Sequence, residues 1–177
     1  PLTAIQILWV NLVTDGLPAT ALSIDPHQEG IMKRPPRPAK ESILSRELGW
    51  EIIGFGTLIG VMVVILFWLY QSNLAKAQTM AFTSLVIFEF ARLVMIRSDY
   101  KLKFFSNPWL LLAVLVSLGA QLAVTYTPLN KIFGIVPLDL ADWLIILGGA
   151  VLLLVIHFVV ELVEKLWKRH SLAQNAQ

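Results

Sequence analysis

Apolar residues along the chain gather into five blocks, each about 20 residues long, the length that crosses the hydrocarbon core of a bilayer. The blocks run from Leu2 to Ile24, Leu48 to Tyr70, Ala77 to Ile96, Pro108 to Tyr126 and Ala141 to Leu166. In lipid only helices or closed barrels satisfy the backbone, and barrel strands would be shorter and alternating. The pattern therefore predicts an all-α, polytopic membrane bundle of five transmembrane helices, with residues 1–177 forming one membrane domain. Trp50, Trp68, Trp109, Trp143 and Trp167 fall near block ends, as an interfacial aromatic belt requires.

Polar residues between the blocks give an orientation. Lys33, Arg34, Arg37, Lys40 and Arg46 lie in the first connection, Arg97, Lys101 and Lys103 in the third, and Lys165, Lys168 and Arg169 in the tail. The second and fourth connections hold Lys76 and Lys131 alone. By the positive-inside rule, the loops at 25–47 and 97–107 and the C-terminus are expected on the cytoplasmic side, and the N-terminus outside. The stretch KRPPRPAK at 33–40 is expected to be extended, because proline at this density cannot continue a helix. It could touch anionic lipid or only set the topology.

Composition sharpens this picture. Of 177 residues, 56% are hydrophobic and 15% charged, more apolar and less charged than an ordinary soluble domain. The net charge of +2 suggests no nucleic-acid partner; the expected surroundings are the lipid bilayer and other parts of a larger protein. With no cysteine, disulfides and thiolate metal sites are excluded. No signal peptide is read at the start, because an apolar run begins at once without a basic leader. The expectation is a piece from the C-terminal end of something larger.

Candidate chemistry concentrates in the first block, LTAIQILWVNLVTDGLPATALSI. Asn11, Thr14, Asp15 and Pro18 would share one face of an unbroken helix. A carboxylate in mid-span costs at least about 2.5–3.5 kcal/mol, so Asp15 is a functional candidate by default. Pro18 removes the hydrogen bond that the Thr14 carbonyl would receive, and Gly16 lets the backbone open at low steric cost. The helix is therefore expected to be unwound at its middle, with freed carbonyls beside the Asn, Thr and Asp oxygens, as in discontinuous-helix cation sites. These donors are hard oxygens, which favours calcium over zinc or copper. Calcium takes six to eight oxygens, and one helix offers about three to five, so the remainder must come from elsewhere. The plainer reading is a proline-kinked span whose polar residues join helices together.

Glu89, deep in the third block, is the acid expected to face Asp15. One turn later, Arg92 offers an alternative: an intrahelical ion pair that neutralises both groups. Gly54, Gly56 and Gly60 are expected to pack inside the bundle and not between molecules. His157 and Gln121 read as hydrogen-bonded packing residues. Glu161, Glu164, Lys165 and Lys168 read as a solvated face.

WVNLVTDGLPATALSIDP, followed by IMKRPPRPAKESILS, closely resembles the sixth transmembrane helix and following loop of P-type calcium-transporting ATPases of the sarcoplasmic/endoplasmic-reticulum type and their prokaryotic relatives. The other four blocks fit that family's seventh to tenth helices. The resemblance implies that Asn11, Thr14 and Asp15 are calcium ligands, with Asp15 shared between two ions, and that Glu89 is the eighth-helix carboxylate. Arg92 stands where the family has a small polar residue, and a nearby cation competes for that carboxylate. The family's DKTGT, PEGLP and nucleotide-binding parts do not occur in this sequence. The resemblance thus implies that ATP and Mg2+ act in other domains, that the ion site is completed by upstream helices, and that this chain alone is inactive. Two alternatives remain beside the pump: a secondary transporter or channel module using the same broken helix, and a purely structural bundle.

Overall fold

The computed structural model describes residues 2–25, 46–100, 102 and 104–174, and for the ends of some helices the backbone alone. Among the described residues the chain is all-α. It comprises α1 (Ala4–Trp9), a π-helical stretch (Val10–Asp15), α2 (Gly16–Leu22), α3 (Arg46–Leu69), α4 (Leu74–Asp99), a 3-10 turn (Phe104–Ser106), α5 (Pro108–Tyr126), a short α6 (Asn130–Phe133) and α7 (Leu140–Gln174). Among the described residues four helices, α3, α4, α5 and α7, are each long and apolar enough to cross a membrane. The first expected span is the composite Ala4–Leu22. The Pro-rich basic segment at 33–40 lies outside the described residues.

Local sequence explains where helices begin. Asn73 and Asn107 are N-caps whose side-chain oxygens accept from the backbone N–H of Lys76 at 3.1 Å and Leu110 at 3.0 Å. Pro108 follows at the first helical position, where its missing N–H costs nothing. Lys76 Nζ bridges Asp139 at 3.2 Å and Asp142 at 2.9 Å, tying the start of α4 to the start of α7. The backbone N–H of Asp142, followed by Lys76, holds the Asp139 carboxyl below the usual carboxylate range. At 35 residues α7 is about 52 Å long, well beyond a hydrocarbon core, so its last turns leave the bilayer. There Glu161 and Lys165 pair along a solvated face, as expected.

Helix α4 is the least apolar of the four long helices and the most buried. Lipid tails are as apolar as leucine, so an all-apolar helix gains nothing by being interior, whereas one carrying Thr79, Thr83, Ser84 and Glu89 does. One face of α4 packs with α3 and α7 around Met80, Phe88, Met95, Ile146 and Leu153. Another packs Phe82 and Val86 against Val10, Val124 and Phe133.

The glycines divide differently from expectation. A methyl group added at Gly54, Gly56 or Gly60 would meet nothing within 4 Å, because α3 packs on α4 through Ile59, Val63 and Leu66 instead. Close approach occurs at Gly149 on α7, where a Cβ would come 2.8 Å from the Phe88 ring and 3.3 Å from Met62. Gly149→Ala should therefore destabilise the bundle by about 1–3 kcal/mol, through overpacking. Gly56→Ala should be neutral or slightly stabilising, because alanine is the better helix former. Thermal unfolding of the two variants in detergent checks the contrast.

Candidate cation site

Side-chain hydrogen bonds tie the first composite helix to its neighbours. Gln6 Nε2 donates to the Phe133 carbonyl at 2.9 Å, and Trp9 Nε1 donates to Gln121 Oε1 at 3.0 Å. Ser117 Oγ donates to the Val13 carbonyl at 2.7 Å, and Asn107 Nδ2 donates to the Ala21 carbonyl at 2.9 Å. Three of these anchors stand on α5 or its cap. Gln121 is fully buried and also donates to Thr83 on α4 at 3.4 Å, which fits its expected packing role.

The interruption near Gly16 and Pro18 takes the form of a wider coil, not an opened strand of chain. Residues Val10–Asp15 are π-helical, and both flanking caps keep right-handed helical dihedrals. The expectation of an unwound middle is corrected accordingly: in a bilayer, a π turn keeps most backbone groups paired where full unwinding would orphan several. Gly16 fits this register, since a Cβ there would come 3.3 Å from the Asn11 carbonyl, five residues earlier.

The π stretch also splits the expected polar face. Gln6, Val10, Thr14 and Pro18 are buried, a stripe of period four. On a plain α-helix that period would drift by about 120° over three steps; the wider π turn absorbs the drift. Thr14, 2% exposed, lies in this stripe with Pro18, while Asn11 and Asp15 lie on the exposed flank beside it. Thr14 Oγ1 donates its proton to the Val10 carbonyl at 2.9 Å, which leaves the oxygen's lone pairs for another partner.

Across from this stretch runs α4, and Glu89 is half-buried on it. Asp15 lies within electrostatic reach of Glu89, and so does Arg92. Among the described residues no ion pair joins Glu89 to Arg92. The Arg92 guanidinium instead sits 4.7 Å over the Phe55 ring of α3, a cation–π contact, with its Nη1 buried and without a hydrogen-bond partner. Among the described residues no group of three or more His, Cys, Asp or Glu side chains converges as a metal cage. The chain thus presents two carboxylates, an amide and a hydroxyl, at most six side-chain oxygens, the lower end of what calcium takes.

Sequence reasoning missed a second charged cluster. Arg97, 2% exposed in the last turn of α4, donates to Asp25 at 2.6 Å and to Ser106 Oγ at 2.7 Å. Asn107 Nδ2 also donates to Asp25 Oδ1 at 2.7 Å. These contacts clamp the end of the site helix onto α4 and α5. By sequence Arg97 groups with the basic loop residues, because the apolar run before it hides that α4 continues to Asp99. His157 lies 3.2 Å from Asp99 and against Phe55, and takes no part in the cation site.

The family described as "Cation transporting ATPase, C-terminus" matches residues 1–165, and the chain belongs to it. It is similar to a "Calcium-transporting ATPase" of Bacillus subtilis, 43% identical over 156 residues, covering 84% of this chain and 18% of that protein. "Calcium-transporting ATPase type 2C member 2" of Rattus norvegicus is 36% identical over 178 residues, covering 96% of the chain and 19% of that protein. "Calcium-transporting ATPase 1" of Bacillus cereus is 34% identical over 192 residues, covering 93% and 21%. The chain therefore spans about a fifth of the length of these relatives. It is the multi-pass C-terminal membrane region of a P-type ATPase.

Removing one partner of a buried ion pair strands the other charge, at a cost of about 3–5 kcal/mol. Asp25→Asn should thus lower stability by about 3 kcal/mol, because it strands the nearly fully buried Arg97, and Arg97→Met by less, because the Asp25 it strands is the more exposed partner. A double-mutant cycle on thermal unfolding checks the pair: the combined loss should fall well short of the sum.

Proposed function

We propose that this chain supplies part of the intramembrane cation site of an ATP-driven calcium pump. The observation that carries the reading is that Asp15, on the exposed flank of the π turn, stands within electrostatic reach of Glu89 on the interior helix α4, which packs against that turn. Two carboxylates within electrostatic reach in lipid repel each other, and a cation between them relieves that repulsion. Asn11 and Thr14 add neutral oxygens beside Asp15. The relatives' names supply the ion, calcium, and the hard-oxygen donor set agrees with it.

In this reading the exposed flank carrying Asn11 and Asp15 faces upstream helices of the same pump, which complete the coordination shell. ATP and Mg2+ act in its cytoplasmic domains, and phosphorylation there drives alternating access at the membrane site. Isolated, the chain transports nothing. The basic residues of the 25–47 and 97–107 loops and of the tail favour a cytoplasmic position for those segments and an N-terminus outside. Arg92 stacks on Phe55 and makes no ion pair with Glu89, although its charge still reaches that carboxylate.

The test is calcium-dependent ATP hydrolysis and uptake by the full-length pump. Asp15→Asn keeps the size but removes the charge, and it should raise the calcium concentration for half-activation by on the order of 100-fold. Uptake at the wild-type rate and affinity would overturn the role of Asp15.

A further inference from the structure

Arg92 follows Glu89 by three residues on α4, and side chains at that spacing are neighbours on a helix surface. A guanidinium and a carboxylate so placed ordinarily pair, because charge-assisted hydrogen bonds satisfy both groups. Here they do not. The guanidinium lies 4.7 Å over the Phe55 ring of α3, and among the described residues no ion pair joins it to Glu89. Its Nη1 is buried without a hydrogen-bond partner, which leaves the ring face as the direct contact that stabilises its charge. Phe55 is half-buried and packs in turn against the His157 ring of α7, with centroids 5.5 Å apart.

Arg92 thus stands between two attractions, the Phe55 ring and the Glu89 carboxylate, which already feels its charge. Paired with Glu89, Arg92 would cover oxygens that a cation needs; held on Phe55, it leaves them uncovered. We propose that Phe55 is a positioning residue for the cation site: its ring holds the Arg92 guanidinium off Glu89 and so keeps that carboxylate open to the ion. Removing the ring then lowers calcium affinity, and removing the guanidinium raises it. The inference rests on the cation-site reading above, with Glu89 as a ligand.

The experiment measures two quantities in the full-length pump: the calcium concentration for half-maximal ATP hydrolysis, and the rate at saturating calcium. Phe55→Leu and Phe55→Met keep an apolar side chain without a ring face. Each should raise the first about fivefold, equivalent to about 1 kcal/mol, and change the second by less than about twofold. Phe55→Tyr keeps the ring and should stay within about twofold of wild type. Arg92→Met should act in the opposite direction, lowering half-activation about threefold, because it removes the competing charge. In the Arg92→Met background, Phe55→Leu should shift half-activation less than about twofold, since no guanidinium is left to release. The proposal is overturned if Phe55→Leu and Phe55→Met leave half-activation unchanged or lower it, if Phe55→Tyr shifts it as far as they do, or if Arg92→Met fails to lower it. It is equally overturned if the effect of Phe55→Leu survives in full in the Arg92→Met background, since the role would then be packing alone. Glu89→Gln in the same series separates the two readings. If Glu89→Gln leaves calcium activation intact, Glu89 is no ligand and the cation-site reading falls. If it weakens activation while Phe55→Leu has no effect, only the role of Phe55 falls.

Discussion

A bilayer interior offers no water to a backbone group without a partner, and Pro18 guarantees one such group in the first helix. Much of the site's architecture follows from how the helix passes this break. The helix widens into a π turn at Val10–Asp15, and α5 places the Ser117 hydroxyl against the Val13 carbonyl within it. The same widening keeps Gln6, Val10, Thr14 and Pro18 on one buried stripe and leaves Asn11 and Asp15 beside it. A helix tied to its neighbours at Gln6, Trp9, Val13 and Ala21 can keep polar residues aimed where lipid alone would give no preference.

Interior position in this bundle follows polarity and not hydrophobicity. Helix α4 carries the hydroxyls of Thr79, Thr83 and Ser84 together with Glu89, and it is sequestered between the site helix on one side and α3 and α7 on the other. Its charged groups take different partners. Arg97 is neutralised by Asp25, Arg92 stacks on Phe55, and Glu89 feels the charges of both Asp15 and Arg92. Under the proposed function this arrangement matters, since a Glu89–Arg92 ion pair would compete with a cation for the same carboxylate.

Much of this was legible in the sequence. Blocks of bilayer length announced the spanning helices, and an acid in mid-span beside Gly16 and Pro18 announced the candidate site. The form of the break was not legible, because proline predicts an orphaned carbonyl without saying which register disposes of it. The period-four spacing of Gln6, Val10, Thr14 and Pro18 held that information, but it becomes visible only once burial is known. Inward and outward faces were hidden for a related reason: where lipid is as apolar as the core, an apolar pattern cannot tell them apart. Hence Gly54, Gly56 and Gly60 suggested packing that Gly149 performs. The polar residues of α5 and its cap, Asn107, Ser117 and Gln121, were the available clue to which face meets the site helix. The Arg97–Asp25 clamp joins positions 72 residues apart and left no local signal.

Central to all of this is the proposal that Asp15 and Glu89 share a cation. Equilibrium binding of radioactive calcium to the full-length pump, counted as ions per molecule, tests that most directly. Relative to the wild type, Glu89→Gln should lose an ion or bind it far more weakly, and Asp15→Asn should lose measurable binding at the concentrations that saturate the wild type. Unchanged stoichiometry and affinity in both variants would contradict it.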